Sequence, residues 1–98
     1  MKLQERLCFI AKEYIKPEDW PTLRGIEALW VNQTLKINFY FKEEIKDSLK
    51  EEASVLATEI LAQYENGDLE ENYFYLSCIV PLPKSSAWIY QNPIKTSS

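Results

Sequence analysis

The chain has 98 residues, of which 46% are hydrophobic and 13% aromatic, and this content is enough for one small core. It contains no histidine, which excludes the commonest general base, the commonest protein metal ligand and every Ser-His or Cys-His catalytic pair. The formal net charge is -4. We therefore expect one domain over residues 1–91, a frayed tail at residues 92–98, and a protein that is not an enzyme and has no catalytic residue, metal or cofactor.

The first fifteen residues lack the continuous apolar core of a signal peptide. Charged and polar residues interrupt them at Gln4, Glu5, Arg6, Lys12 and Glu13. No apolar run elsewhere is long enough to span a bilayer, so the sequence predicts a cytoplasmic protein without membrane contact. The two cysteines, Cys8 and Cys78, are interpreted as buried free thiols, with a disulfide as the alternative.

Residues 3–15 predict a short amphipathic helix, because apolar side chains recur there at helical spacing. Proline does not fit a helix interior, so Pro17 and Pro21 indicate that this helix ends near Ile15. The loop that follows carries Trp20.

The pattern changes to strand-like segments after Gly25, where IEALWV and TLKINFYF predict two strands. Asn32 and Gln33 lie between them and suit a two-residue hairpin turn, since asparagine tolerates a positive φ. Such a turn places Val31 opposite Thr34 and gives the hairpin one apolar face. That face consists of Ile26, Ala28, Trp30, Leu35, Ile37, Phe39 and Phe41. A loop one residue longer would instead place the other set of alternating side chains of the first strand on the face that carries the apolar residues of the second.

Residues 47–65 predict a longer amphipathic helix, with Asn66 and Gly67 as its stop, because glycine accepts the left-handed conformation that closes a helix. A third strand over residues 72–80 and a short last strand over residues 87–90 follow. The fold class is then α+β: an α-β-β-α-β-β two-layer sandwich with two helices on one face of a four-stranded, mostly antiparallel sheet.

Acidic residues are concentrated between Glu43 and Glu71, where ten acids meet two bases and the net charge is -8. The rest of the chain has nine bases and five acids, a net charge of +4. This asymmetry favours a basic protein partner and argues against nucleic acid, whose phosphates the acidic side would repel. The alternative is a solvated surface that serves solubility.

Aromatic side chains on the predicted sheet complete the candidate surface, since tyrosine and tryptophan are enriched at interface hot spots. We expect several of them to line an exposed sheet face, while roughly two in five would serve core packing instead. The predicted partner-binding residues are Glu43, Glu44, Asp47, Glu51, Asp68, Glu70, Glu71, Tyr40, Tyr73, Tyr75 and Trp88.

The run FYFKEEIKDSLKEEASVLATEILAQY, with LEENYFYLSCIVPLP and WIY after it, resembles a family of small bacterial immunity proteins. That family is associated with polymorphic toxins and contact-dependent growth inhibition. The resemblance covers about residues 26–90. It consists of an aromatic strand, an acidic turn, a helix with an ATEI-like core, a P-x-P turn and a final tyrosine: Phe39 to Phe41, Glu43, Glu44, Ala57 to Ile60, Tyr64, Pro81 to Pro83 and Tyr90. Gln63 stands where the family pattern has an acid.

The resemblance implies an immunity protein that binds a cognate toxin domain, often a nuclease, and occludes its basic active-site surface. The protein would be a monomer when free and would form a heterodimer with the toxin. The competing function is a small acidic chaperone or adaptor that holds a secreted effector and acts as a dimer.

Overall fold

A computed structural model of the chain describes residues 3–16, 18–64, 66–77 and 79–91. Its elements follow one another as α1 (Leu3–Tyr14), β1 (Leu23–Val31), β2 (Thr34–Phe41), α2 (Asp47–Leu61), β3 (Asp68–Tyr75) and β4 (Trp88–Gln91). This order confirms the predicted α+β class and the α-β-β-α-β-β succession. Cys8 is a half-buried free thiol. Cys78 and the expected tail at residues 92–98 lie outside the described residues.

The strands β1 and β2 form the predicted hairpin, with Val31 opposite Thr34. Asn32 and Gln33 have φ angles of 51° and 57°, and a type I′ turn requires positive φ at both of these positions. The two-residue loop is therefore confirmed, and alternation assigns the apolar side chains to one face as expected. Five of them have no exposed surface: Ile26, Leu35, Ile37, Phe39 and Phe41.

The four strands lie in the order β3-β2-β1-β4, so β3 and β4 are the edges of the sheet. The pairings of β1 with β2 and with β4 are antiparallel, whereas β3 is parallel to β2 and has Tyr75 opposite Phe41. The helix α2 explains this direction, because it carries the chain back to the end of the sheet at which β2 began. The sheet is mixed, with two antiparallel pairings and one parallel pairing.

Both helices cover the apolar face of the sheet. Their buried core residues are Leu7 and Ala11 from α1 and Ala53, Leu56, Ala57 and Ile60 from α2. Trp20, in the loop after α1, is also buried, and its ring meets that of Tyr14 edge to face at 6.4 Å between centroids. We call the opposite side of the sheet, which carries Glu27, Asn38 and Asn72, the open face.

Several predicted boundaries differ from the structure, and the largest differences lie in β3 and α2. β3 spans Asp68–Tyr75 instead of residues 72–80, and α2 ends at Leu61 instead of residue 65. Aspartate, asparagine and glutamate are uncommon in strands, so the first half of β3 has the sequence of a turn. Pairing with β2 along the full length of both strands overrides this local preference.

The end of α2 is also closed differently. Its C-cap residue, Ala62, is right-handed, and the left-handed residue comes four positions later at Asn66, with φ of 47°. Gly67 does not have a positive φ, so the role expected for this glycine is wrong. Gly67 is needed for space instead, because a Cβ atom there would overlap with the indole ring of Trp30. That ring stacks on Tyr64 with centroids 4.3 Å apart. Trp30 therefore holds the chain that enters β3 against the end of the hairpin.

Gly67→Ala should lower the free energy of unfolding by about 1 to 3 kcal/mol, because the new methyl group pushes the Trp30 ring out of its stack. Chemical denaturation of the wild type and the variant measures this difference. In a Trp30→Ala background the ring is absent, the nearest remaining atom to the new methyl group is the Gln33 carbonyl oxygen at 3.1 Å, and Gly67→Ala should then cost less than about 1 kcal/mol. An equal cost in both backgrounds would contradict the steric explanation.

Candidate functional site

The sequence predicted that the aromatic residues of the sheet share one exposed face. This expectation is wrong, because side chains alternate along each strand and these residues lie on opposite faces of the sheet. Tyr40 lies on the open face, while Tyr73 and Tyr75 lie on the side that the helices cover. Tyr40 is only 8% exposed, because its ring stacks on Phe74 at 5.1 Å and meets Trp88 edge to face at 5.2 Å. This aromatic row crosses the open face near the carboxyl end of β2.

A buried carboxylate lies beside this row. Glu27 accepts hydrogen bonds from Asn38 Nδ2 at 2.9 Å and from the Tyr40 hydroxyl at 3.2 Å. Burial by itself would raise the pKa of Glu27, but hydrogen bonds from Ser85, Asn38 and Tyr40 outweigh it and hold that pKa below its ordinary value. Asn38 Oδ1 accepts from Asn72 Nδ2 at 3.0 Å. Since Glu27, Asn38 and Asn72 are aligned on adjacent strands, the network helps to fix the register of the sheet.

On the helix side, Tyr73 and Glu71 are tied to the core and to α2. The Tyr73 ring stacks on Phe39 at 5.3 Å, and its hydroxyl donates to Glu71 Oε1 at 2.7 Å. The same oxygen accepts from Ser54 Oγ of α2 at 2.6 Å. Burial and the hydrogen bond to Glu71 raise the pKa of Tyr73 to about 12. These two predicted partner-binding residues therefore have internal partners already.

Apolar side chains are exposed where β3 ends. Tyr75 is 43% exposed, Ile79 91% and Val80 40%. Phe74 joins them from the open face with 42% of its surface exposed. Ile79 and Val80 lie in a turn, in which the Val80 N–H donates to the Ser77 carbonyl at 2.9 Å, and not in a strand as the sequence predicted. A group of exposed apolar residues of this kind is typical of an interaction surface.

Arg24 holds this end of β3 in place. Its side chain is 5% exposed and reaches from β1 past β2, where Nη1 donates to the Leu76 carbonyl at 3.3 Å and to the Ser77 carbonyl at 2.9 Å. The Leu76 N–H donates to the Phe41 carbonyl at 2.8 Å. The chain that leaves β3 therefore lies beside the chain that leaves β2.

The chain that leaves β2 carries the first group of predicted acids. Glu43 and Glu44 are exposed and line a cavity of about 400 Å³ between the loop after α1 and the start of α2. Asp19 and Glu52 also line this cavity, and Lys46 is the one base among its described lining residues. The charged side chains of its wall are therefore predominantly acidic.

The other predicted acids lie on α2 and at the start of β3. Asp47 and Glu51 are exposed on α2, while Asp68 and Glu70 are exposed at the far end of the sheet, where β2 and β3 both begin. Tyr75 follows Asp68 by seven positions, which corresponds to roughly 23 Å along a strand. The acidic segment is one block in the sequence, but the structure divides it between the two ends of the sheet.

The predictions from the sequence did not include three features of this region: the buried Glu27, the buried Arg24, and the exposed turn with Ile79 and Val80. Glu27 does leave a signal, because a charged residue inside the apolar run IEALWV must find hydrogen-bonding partners if it is buried. Arg24 leaves no comparable signal, since it precedes the predicted strand and its partners are backbone carbonyls distant in sequence.

A pH-dependent stability follows from the pKa of Tyr73, which rises from 10.0 to about 12 on folding. The folded protein keeps this proton where the unfolded chain loses it, so the contribution is complete below pH 10 and is lost as the pH rises to about 12. Tyr73→Phe removes the titrating group. Its urea midpoint should therefore fall less steeply than that of the wild type over this range, and equal slopes would contradict the assignment.

No helix in the described part of the chain is both long and apolar enough to cross a membrane. Across residues 3–16, 18–64, 66–77 and 79–91, no three His, Cys, Asp or Glu side chains are grouped so that they could hold a metal ion.

Comparison with known proteins bears on the resemblance that the sequence suggested. A search of curated proteins finds no match to the chain. The family model described as MafI2 immunity protein matches residues 20–92, a range that includes all four strands and α2. This match confirms the expected similarity to small bacterial immunity proteins of toxin systems. The chain therefore belongs to the MafI2 immunity protein family, and its function is immunity against a toxin.

Proposed function

We propose that this immunity protein neutralises its cognate toxin domain by binding it directly and covering a basic active-site surface, and that the toxin is a nuclease. A nuclease presents basic side chains to the phosphates of its substrate, and exposed acids compete for those side chains by charge. The protein then acts by occupancy and without catalysis, in the cytoplasm, as a monomer that forms a heterodimer with the toxin.

The observation that supports this proposal most directly is the meeting of acids and exposed apolar groups at one end of the sheet. The hydrogen bond from Leu76 N–H to the Phe41 carbonyl, at 2.8 Å, joins the chains that leave β3 and β2. One of these chains continues into Glu43 and Glu44, and the other follows Tyr75. We call this surface the acidic-apolar end, and it consists of Glu43, Glu44, Asp47, Glu51, Phe74, Tyr75, Ile79 and Val80.

Charged and apolar groups contribute differently to such a surface. The exposed carboxylates of Glu43 and Glu44 attract a basic partner before contact and raise the rate of association. Phe74, Tyr75 and Ile79 offer apolar area that a partner can bury, and buried aromatic anchors supply much of the binding free energy at interfaces. Trp88 supports the surface from the open face through its contact with Tyr40.

The remaining predicted residues have indirect tasks in this proposal. Asp68 and Glu70, roughly 23 Å and roughly 16 Å along the strand from Tyr75, add long-range attraction only. Tyr40, Glu71 and Tyr73 have internal hydrogen-bonding partners and shape the surface from within. We expect their substitution to change stability first and toxin binding as a consequence.

Charge reversal at the acidic-apolar end tests the proposal. Glu43→Lys combined with Glu44→Lys should weaken binding of the toxin domain by about 100-fold, through slower association and faster dissociation. The matched control, Asp68→Lys combined with Glu70→Lys, changes the net charge equally, from -4 to 0. It should slow association only a few-fold and leave the dissociation rate unchanged. The binding partner is a catalytically inactive form of the cognate toxin domain, and its binding kinetics are measured at low and high salt.

The outcomes separate the parts of the proposal. Equal losses for the two variants would mean that net charge matters and position does not. Unchanged binding in both would assign the acids to solubility. A stable dimer without toxin affinity in size-exclusion chromatography would favour the chaperone function instead. A toxin domain that cleaves neither DNA nor RNA would show that the nuclease assignment is wrong while leaving the binding surface in place.

A further inference from the structure

The backbone of β3 presents alternate residues to β2 and to its outer side. The Asp68 N–H donates to the Gln33 carbonyl at 2.9 Å, and the Leu76 N–H donates to the Phe41 carbonyl at 2.8 Å. In a regular strand the N–H and C=O groups of one residue point to the same side, and the next residue points the other way. The even-numbered residues of β3 therefore pair with β2. The odd-numbered ones direct their N–H and C=O groups outward: Leu69, Glu71, Tyr73 and Tyr75.

Among the described residues, no backbone group pairs with this outer side of β3. The opposite edge of the sheet is covered differently, because α1 packs against β4 and Gln4 Nε2 donates to the Trp88 carbonyl at 2.9 Å. An unpaired strand edge is a template for another strand unless charge, proline or a bulge protects it. In the described part of the chain, the edge formed by β3 is thus the one available for pairing.

The two halves of β3 differ in protection. Its first half carries Asp68, Glu70 and Glu71, which discourage pairing with a strand that lacks basic residues. Its second half, from Asn72 to Tyr75, has no charge and no proline. Exposed aromatic side chains flank this half on both sides of the sheet, since Phe74 lies on the open face and Tyr75 on the helix side.

We propose that an extended segment of the toxin domain pairs with the second half of β3 and becomes the fifth strand of the sheet. This inference rests on the proposed function and adds the mode of contact to it. The segment would form backbone hydrogen bonds with Tyr73 and Tyr75, place apolar side chains against Phe74 and Tyr75, and carry basic residues towards Glu43 and Glu44 beyond the end of the strand.

Charge identifies a basic toxin segment, and not a second copy of this chain, as the occupant. β3 carries three acids and no base, so a pair of β3 strands would carry six acids and no base at the new edge. The net charge of -4 on each chain adds to this repulsion. With a basic segment, the interaction at the new strand edge and the interaction between the net charges would both be attractive.

Amide hydrogen exchange followed by NMR tests the pairing residue by residue. In the free protein the amides of Phe74 and Leu76 should be protected by β2, while those of Tyr73 and Tyr75 exchange rapidly. Addition of the inactive toxin domain should slow exchange at Tyr73 and Tyr75 on the order of 100-fold. If the complex forms and these two amides still exchange rapidly, strand pairing is wrong although the proposed function stands.

Proline at position 75 tests the backbone contact separately from the side chain. Tyr75→Ala removes the aromatic ring and keeps the backbone N–H, whereas Tyr75→Pro removes both. Because the N–H of residue 75 points outward at the edge, its loss leaves the hydrogen bonds between β3 and β2 intact. Tyr75→Pro should bind the toxin domain about 10-fold more weakly than Tyr75→Ala. Urea denaturation should show similar stability for the two variants.

Equal affinities of two folded variants would overturn strand pairing. If Tyr75→Pro does not fold, the exchange experiment on the wild type still decides the question. Protection of Tyr73 and Tyr75 in the free protein that increases with its concentration would identify a second copy as the occupant and overturn the proposal. Failure of the toxin domain to bind the wild type would overturn both the pairing and the proposed function.

Discussion

The placement of β3 parallel to β2 is the constraint on which the rest of this molecule depends. α2 returns the chain to the start of β2, and tertiary contacts then fix the strand at both ends and in its middle. Trp30 packs over Gly67 at its start, Asn72 donates to Asn38 in its middle, and Arg24 binds the carbonyls just after its end. Without this arrangement, the acids that follow β2 and the aromatic residues that end β3 would not share one surface.

The alternation of side chains along β3 divides its residues by task. Glu71 and Tyr73 point to the helices and join α2 to the sheet through one shared carboxylate oxygen, which also accepts from Ser54. Phe74 and Tyr75, at the end of the strand, keep more than two fifths of their surface exposed. Glu71 and Tyr73 thus stabilise the fold, while the end of the same strand offers exposed apolar area and an unpaired backbone edge.

The buried and the exposed carboxylates of this protein act over different distances. Glu27 is a buried charge that neutral donors stabilise, so it contributes to alignment of the strands and little to attraction of a partner. The exposed acids act outwards, and in the proposed complex their two locations at opposite ends of the sheet would separate contact from long-range attraction. If the toxin presents a basic surface, as proposed, the protein would benefit from both, since attraction raises an association rate and buried apolar contact slows dissociation.

The sequence by itself determined the class of the fold, the hairpin with its Asn32-Gln33 turn, the apolar face of the sheet and the resemblance to immunity proteins. The helices, strands and turn behind the first three features are local, because periodicity and turn chemistry act within a few residues. It also named Glu43, Glu44 and Tyr75, which the structure brings to one end. Only the tertiary structure decided that Tyr40 and Tyr73 are internal, that the acidic block splits in two, and that β3 starts at Asp68. The physical reason is that strand pairing, and not the sequence of β3 alone, sets which residues face the helices, solvent or a free edge.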